Sequence, residues 1–427
     1  MEKMSIYLNS MKSGCFVLLT CLSLAFATTS CNNDDFELNE PEQQKQYTKA
    51  ELIEQALSRM PRTRVNSNGV MMITIKDSVN IKVQATEGMV INWGDNSEVI
   101  PITDNKIYSH KYTDEYLSHP ITLSGDAQAL QSLNIDDNEV ISLDIYSNEN
   151  LTDLSCTRNH LDKLDLTGCP QLEYLYIADN EISFLEVSHL SSLFHLYAEN
   201  NLLTAINVSE NLNLFILSLD DNRIMNLDVS NNQSLGVLTA SNNRISSLKL
   251  ANSLNMVTLH VAFNPMTDLD LSESLSLRDI DLEGVALKTL NHYPISDTSF
   301  ARYPILWQLN VAHTSFDSLD LSHNSMLKNI DISGSTITQL DISGLNIETL
   351  KATRSQLTNL IYGPKLPKSL YELRIENTPF EKEPTNMGAL NNALPNRTGM
   401  SPGHLYTYSR YINTMISARN RNWVINQ

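Results

Sequence analysis

The sequence predicts a β-rich solenoid, and three observations carry that prediction. Leu130, Leu151, Leu172, Leu193, Leu214, Leu235, Met256 and Leu277 stand 21 residues apart, and the register resumes at Leu306, Leu327, Ile347 and Leu370. Within a turn such as Leu214 to Ser234, apolar residues fall at positions 1, 4, 6, 11, 14 and 16. Asparagine holds position 9 in seven successive turns, as Asn138, Asn159, Asn180, Asn201, Asn222, Asn243 and Asn264. A self-similar period of this length marks a repeat architecture, here of about twelve turns.

Twenty-one is also three heptads, so a coiled coil is the competing reading. The apolar spacings run 3, 2, 5, 3, 2 and 6 rather than alternating 3 and 4. Each half-turn contains an i, i+2 pair, which is strand alternation. Asn, Asp, Ser and Gly fill the gaps, where a helix needs better formers. Each turn therefore carries one strand near positions 3–7 and a second extended piece near positions 13–17.

Written with φ for an apolar residue, the turn is Leu-x-x-Leu-x-φ-x-x-Asn-x-φ-x-x-Leu-Asp-φ-Ser. This pattern resembles the leucine-rich-repeat family, most closely the short-repeat surface proteins of Bacteroidetes and more distantly the internalins. The likeness spans residues 128–380. It implies a stack of turns with a parallel sheet on the inner face and partner binding there. Unlike longer-repeat relatives, these turns leave no room for a helix on the outer side.

A single turn cannot bury its apolar side, but stacked turns can. Strands of neighbouring turns pair at about 4.8 Å, so twelve turns extend roughly 55–60 Å. Positions 4 and 6 point inward. The position-9 asparagine is read as structural, its amide satisfying backbone groups of adjacent turns. Such bonds are worth about 0.5–1.5 kcal/mol each, and an unmade one costs about 1–3 kcal/mol. From Val285 onward the position becomes Val, Thr, Ser, Ser and Thr, so the ladder lapses and a looser bend is expected. Cys156, at an inward position, reads as a small core hydrophobe. Asp165, Asp228, Asp270, Asp320 and Asp341 recur in register before an apolar residue and Ser or Thr, which is turn chemistry rather than acid catalysis.

The flanks read differently. Lys3 and Lys12 precede an apolar run from Cys15 to Ala27, and Thr28-Thr29-Ser30-Cys31 follows. Residues 1–30 thus read as an export signal, and Cys31 as the acylated cysteine of a lipoprotein. The tract Cys31-Asn32-Asn33-Asp34-Asp35-Phe36-Glu37 resembles the acidic export tags of Bacteroidetes surface lipoproteins, which implies an outer-membrane location with the membrane touched only through lipid. Residues 31–68 are a polar tether followed by one helix from Thr48 to Met60. Thr48 and Glu51 form its capping box; Leu52, Ile53, Ala56, Leu57 and Met60 share a face; Pro61 ends it.

Residues 69–127 switch to strands, at Met72–Ile75, Val79–Val83, Met89–Trp93 and Ile121–Leu123. Trp93-Gly94-Asp95-Asn96 with His110-Lys111-Tyr112 resembles the polycystic-kidney-disease-like β module, in which Asn96 replaces the usual last glycine. That likeness implies glycan or protein contact. The reading preferred from the repeat itself is a β cap over the first open edge of the solenoid. Residues 381–427 serve as the opposite cap, with a polar helical stretch, a last strand at Gly403–Tyr408 and apolar closure by Trp423, Val424 and Ile425.

Composition narrows function. Losing Lys3, Lys12 and Glu2 with the signal takes the formal charge from −19 to −20, which disfavours nucleic acid and anionic membrane surfaces as partners. Beyond Cys31 only Cys156 and Cys169 remain, too few for a disulfide framework or a cysteine metal site. Metalloprotease, nucleophile-elbow and phosphate-loop motifs are lacking, and the carboxylates repeat with the period, so neither enzyme activity nor a cofactor is expected.

Candidate contact residues are those that face outward on the inner strand and break the repeat. Positions 3 and 5 give Tyr174, Tyr176, His195 and Tyr197, with Glu199, Asp220, Asp221, His260 and Phe263 nearby. Tyr176 and Tyr197 share one position in adjacent turns and should stack. They are either a contact site or a cross-strand pair that stabilises the sheet. Asp279, Asp281 and Glu283 make an acidic strand, read as a solvated face rather than a metal site. The interrupting loop, Asn291 to Ile305, carries Tyr293, Phe300 and Tyr303; it either carries function or tucks against the body. The sequence thus points to a surface recognition protein for a protein or glycan ligand, with a structural spacer or assembly subunit as the alternative.

Overall fold

The computed structural model describes residues 47–427 except 60–68, 87, 104, 252–254, 292, 295–299, 409–410, 412–414 and 427. The export signal, Cys31, the tether before residue 47, Met60 and Pro61 lie outside the described residues. Among the described residues no helix is long and apolar enough to cross a membrane.

The repeats stack as expected. One 16-stranded sheet contains 14 parallel strands, from Leu130–Asn134 at one end to Trp423–Asn426 at the other. Adjacent turns pair in strict register, for example Tyr174 with His195, Leu175 with Leu196 and Tyr176 with Tyr197. Strand triplets such as Tyr174–Tyr176 and His195–Tyr197 alternate half-buried, buried, half-buried. In the turn from Leu214, the side chains of Leu214, Leu217, Leu219, Ile224, Leu227 and Val229 are all buried. Short second strands, such as Asn226–Asp228 paired with Ser247–Lys249, line the other side.

Position 8 bends the chain. Asp137, Arg158, Asp179, Asn200, Asp221, Asn242 and Phe263 all have φ between 52° and 57°, the left-handed region that non-glycine residues seldom adopt. The asparagine that follows holds this bend. Asn180 Oδ1 accepts from Leu161 N at 3.0 Å, and its Nδ2 donates to Cys156 O at 2.9 Å and Ile177 O at 3.1 Å. One amide thus ties two turns together. Where the ladder lapses, Thr314, Ser335, Ser355 and Thr378 donate their hydroxyls to the carbonyl three residues back. The hydroxyl keeps the bond within the turn and gives up the bond between turns. The bend itself is not looser, contrary to expectation: His313, Gly334, Arg354 and Asn377 keep φ of 56°, 65°, 60° and 62°.

A second asparagine ladder lies at the opposite bend. Asn211 Nδ2 donates to Val187 O and Leu190 O, both at 2.8 Å. Asn232 Nδ2 reaches Val208 O and Asn211 O, both at 2.9 Å. Asn324 does the same to Phe300 O and Tyr303 O at 3.0 and 2.7 Å.

The N-terminal region begins with helix α1, Lys49–Ser58, whose capping box between Thr48 and Glu51 is formed. Leu52, Ile53 and Ala56 pack against Ile73, Ile75 and Ile141. Leu57 does not join them and stays 44 % exposed, because one narrow stripe suffices to dock so short a helix. Strands β1 (Gly69–Thr74), β2 (Ser78–Ala85), β3 (Met89–Asn92), β4 (Ile100–Pro101), β5 (Lys106–Lys111) and β6 (His119–Gly125) follow. They flank the two strands of the first turn, β7 (Leu130–Asn134) and β8 (Val140–Tyr146). β2 pairs antiparallel with β7, and β1 pairs antiparallel with β8. Both exposed edges of the first turn are therefore covered, and one continuous apolar core runs from Val70 to Trp423.

Inside this region Trp93 stacks on His110 at 4.9 Å, His110 meets Tyr112 edge-on at 4.7 Å, and Tyr112 stacks on His119 at 3.6 Å. His110 Nε2 lies 2.6 Å from Asp95 Oδ2, and Tyr112 Oη donates to Trp93 O at 2.9 Å. These contacts account for the Trp-Gly-Asp and His-x-Tyr residues as core chemistry.

At the far end the helices Pro379–Lys382 and Pro384–Ala393 supply the polar helical stretch. Gly403–Tyr406 is not the last strand: Trp423–Asn426 adds another parallel strand beyond it. The glycine makes room, since a Cβ on Gly403 would come within 2.7 Å of the Trp423 ring. Residues 300–305 of the interrupting loop tuck inward. Phe300 and Tyr303 are fully buried, and Tyr303 Oη donates to Leu271 O at 3.2 Å while accepting from Asn291 Nδ2 at 3.1 Å.

Candidate functional site: the open face of the long sheet

Strand alternation sends positions 3 and 5 to the solvent side of the long sheet, and the 21-residue register sets like positions side by side. Tyr176 and Tyr197 stack at 5.0 Å with planes 10° apart. Tyr174 meets His195 edge-on at 5.2 Å. Two further rings join them: Phe194 stacks on His195 at 4.6 Å and on Phe215 at 5.6 Å. The result is a cluster of six rings over three turns. Sequence reasoning missed Phe194 and Phe215 because they occupy position 2, just before the strand. The signal was present, since two aromatics stand 21 residues apart at a position that is polar in the three turns before them, as Gln131, Thr152 and Glu173. Gly236 follows them in that row, and a Cβ there would come within 2.5 Å of the Phe215 ring. Phe194 is 37 % exposed. Burial holds the His195 imidazole below its ordinary pKa.

The remaining candidates do not close on this cluster as one site. Glu199 Oε1 accepts from Ser218 Oγ at 2.5 Å, and Ser218 Oγ lies 2.7 Å from Thr239 Oγ1. Asp220 Oδ1 accepts from Ser241 N at 2.6 Å. Both carboxylates thus brace the next turn. Burial raises both above the ordinary carboxylate range, outweighing the hydrogen bonds from Ser218 to Glu199 and from Thr239 and Ser241 to Asp220 that lower them. His260 stands three turns from His195, about 14 Å at the strand spacing. It belongs to the acidic strand: His260 Nε2 lies 3.2 Å from Asp279 Oδ1, and its strand pairs with Asp279–Asp281. Burial works against the imidazolium, but Asp279, Asp281 and Asp220 outweigh it and raise the His260 pKa. Burial likewise raises Asp281. Glu283 lies 4.0 Å from His313 Nε2 and accepts from Asn310 Nδ2 at 3.1 Å.

Asp221 and Phe263 sit at the left-handed bend. Phe263 is 49 % exposed, and its ring occupies the space a Cβ on Gly284 would need, 2.6 Å away. Cys156 is buried and its thiol is pushed up by desolvation. The register aspartates are turn residues, as Asp228 shows: it accepts from Ser230 N at 3.1 Å and Ser230 Oγ at 2.6 Å. Among the described residues no three His, Cys, Asp or Glu side chains converge to hold a metal ion.

No family model matches this sequence, and no curated protein matches it. Solved structures do. An internalin, inlF from Listeria monocytogenes, superposes with a TM-score of 0.56 at 17 % identity, covering 70 % of this chain and 87 % of that one. The functional domain of InlJ from the same species, described as including a cysteine ladder, gives 0.51 at 19 % identity, with 71 % and 74 % covered. YopM, a leucine-rich effector protein from Yersinia pestis, gives 0.48 at 24 % identity, with 58 % and 63 % covered. The stacked 21-residue turns, the paired parallel strands and the likenesses to inlF and InlJ together make the fold a leucine-rich-repeat β-solenoid of about 13 turns.

Proposed function

We propose that this chain is a non-catalytic, cell-surface recognition protein that binds a protein or glycan through the open face of its long sheet. The observation that carries the reading is the six-ring cluster on that face. Rings with an apolar body and a polar tip give large contact area at small entropic cost. The fold alone does not assign a ligand. An anchor at Cys31, of the kind the Bacteroidetes surface lipoproteins carry, would hold the protein at the outer membrane.

Two experiments test this. Screening the full chain on glycan and matrix-protein arrays should return a ligand whose binding Tyr176→Ala with Tyr197→Ala abolishes. The same double variant should lose less than about 2 kcal/mol of stability, since an aromatic pair contributes about 0.5–1.5 kcal/mol beyond its burial. Retained binding with a large drop in the melting temperature would instead make the rings a device for stabilising the sheet and favour the spacer reading. For the anchor, Cys31→Ala should move the protein from the membrane to the soluble fraction; unchanged retention removes that claim.

A further inference from the structure

The open face is chemically two-sided along its length. Across the six turns from Thr152 to Ala262, positions 2 to 7 contain no Lys or Arg, while Asp153, Glu173, Glu199 and Asp220 supply carboxylates. The next turn adds Asp279, Asp281 and Glu283 behind Arg278 at position 2. The nearby counter-charges are imidazoles: His260 beside Asp279 at 3.2 Å and His313 beside Glu283 at 4.0 Å. Glu199 Oε2 is buried with no hydrogen-bond partner. Phe263 stands beside this group, its N–H bonded to Glu283 O at 2.7 Å, and an exposed ring next to carboxylates is favourable ground for a cation. The ring cluster ends at Tyr197 and Phe215, and the strand of Asp281 lies four strand spacings beyond that of Tyr197, roughly 19 Å.

We infer that this face takes an extended protein segment lying across the strands, with an aromatic side chain on the ring cluster and a lysine or arginine held by Asp279, Asp281 and Glu283. The inference rests on the recognition reading above and sharpens it. An extended chain advances about 3.3 Å per residue, so the two anchors stand about six residues apart in the partner. Among the described residues Asp279 and Glu283 have imidazoles as their ion-pair partners, and the basic anchor adds a permanent cation there; the aromatic anchor gains the large contact area of the stacked rings.

The test is selection of a random dodecapeptide display library on the immobilised full chain at about 0.15 M salt, where surface attraction is screened beyond about 8 Å. Selected peptides should carry Lys or Arg about six positions from an aromatic residue. Asp279→Asn with Asp281→Asn should weaken their binding about tenfold or more. A control of equal charge, Glu210→Gln with Glu273→Gln, should leave it unchanged. Equal weakening by the control makes the attraction one of bulk charge and overturns the inference. Peptides that depend on Tyr176 and Tyr197 but show no basic enrichment also overturn it, and leave the recognition reading standing, as does binding of glycans alone. Peptides indifferent to both pairs, or none selected, overturn the inference; the recognition reading falls only if the arrays also return no ligand that depends on Tyr176 and Tyr197.

Discussion

Asn222 shows what a single residue does in this fold. Its Oδ1 accepts from Leu203 N at 3.0 Å, and its Nδ2 donates to Ala198 O at 2.8 Å and Leu219 O at 3.1 Å. Asn222→Ala leaves the buried Leu203 N–H unpaired, while Ala198 O and Leu219 O keep their bonds from Asn201 and Asn243; it should cost about 1–3 kcal/mol in denaturant unfolding. Asn222→Ser should cost less, because a hydroxyl can still reach the Leu219 carbonyl, as Ser335 reaches Ile332. Equal losses for the two would contradict the assignment of separate bonds within and between turns. Asp228 gives a pH signature. Ser230 and Lys249 hold its carboxyl at about 2, below the ordinary carboxylate range. A folded-state pKa below the unfolded one stabilises the fold above the unfolded value, and the gain disappears as pH falls toward 2. The side chain is 51 % exposed, so screening limits the effect to less than about 1 kcal/mol. Asp228→Asn should therefore lower stability slightly at pH 7 and match the parent chain near pH 2. The position-9 asparagines were legible because they recur in seven successive turns. Asn211, Asn232 and Asn324 were not, since Cys169, Leu190 and Ser274 occupy the same bend in other turns and break the pattern.

At the scale of elements, the ends of the stack depend on close approaches. Trp423 is buried against Gly403, so Gly403→Ala should lift the last strand and cost about 1–3 kcal/mol of overpacking. Faster amide exchange confined to residues 423–426 would report it; unchanged exchange there would show that the ring simply slides. Gly236 behaves differently, because only the far end of the Phe215 ring stands in the way. Gly236→Ala should leave the melting temperature nearly unchanged and still weaken ligand binding by displacing that ring. The sequence marked the strands of the N-terminal region and the polarity switches around it. It did not reveal that β1 and β2 each pair with a strand of the first turn, since pairing partners so far apart leave no local period. Trp423–Asn426 was read as closure for the same reason: an isolated apolar triplet looks alike whether it plugs a core or extends a sheet.

At the scale of the molecule, a 21-residue repeat predicts nearly everything about the scaffold and little about what it holds. Repetition amplifies each inward position by the number of turns, so the core, the bends and the sheet were plain. A binding surface consists of departures from the repeat, and each departure occurs once. Tyr174, Tyr176, His195 and Tyr197 were recognisable as departures, but their joining with Phe194 and Phe215, and the separation of His260 into a second, acidic centre, required the register in three dimensions. The most direct measurement of the central claim is hydroxyl-radical footprinting of the full chain with and without the ligand found on the arrays. The account predicts lost labelling at Tyr174, Tyr176, Phe194, Tyr197 and Phe215. It predicts unchanged labelling at Phe184 and Met225, which are exposed by 70 % and 50 % outside the strands of the long sheet. Protection of Phe184 and Met225 with the ring cluster still labelled would contradict it.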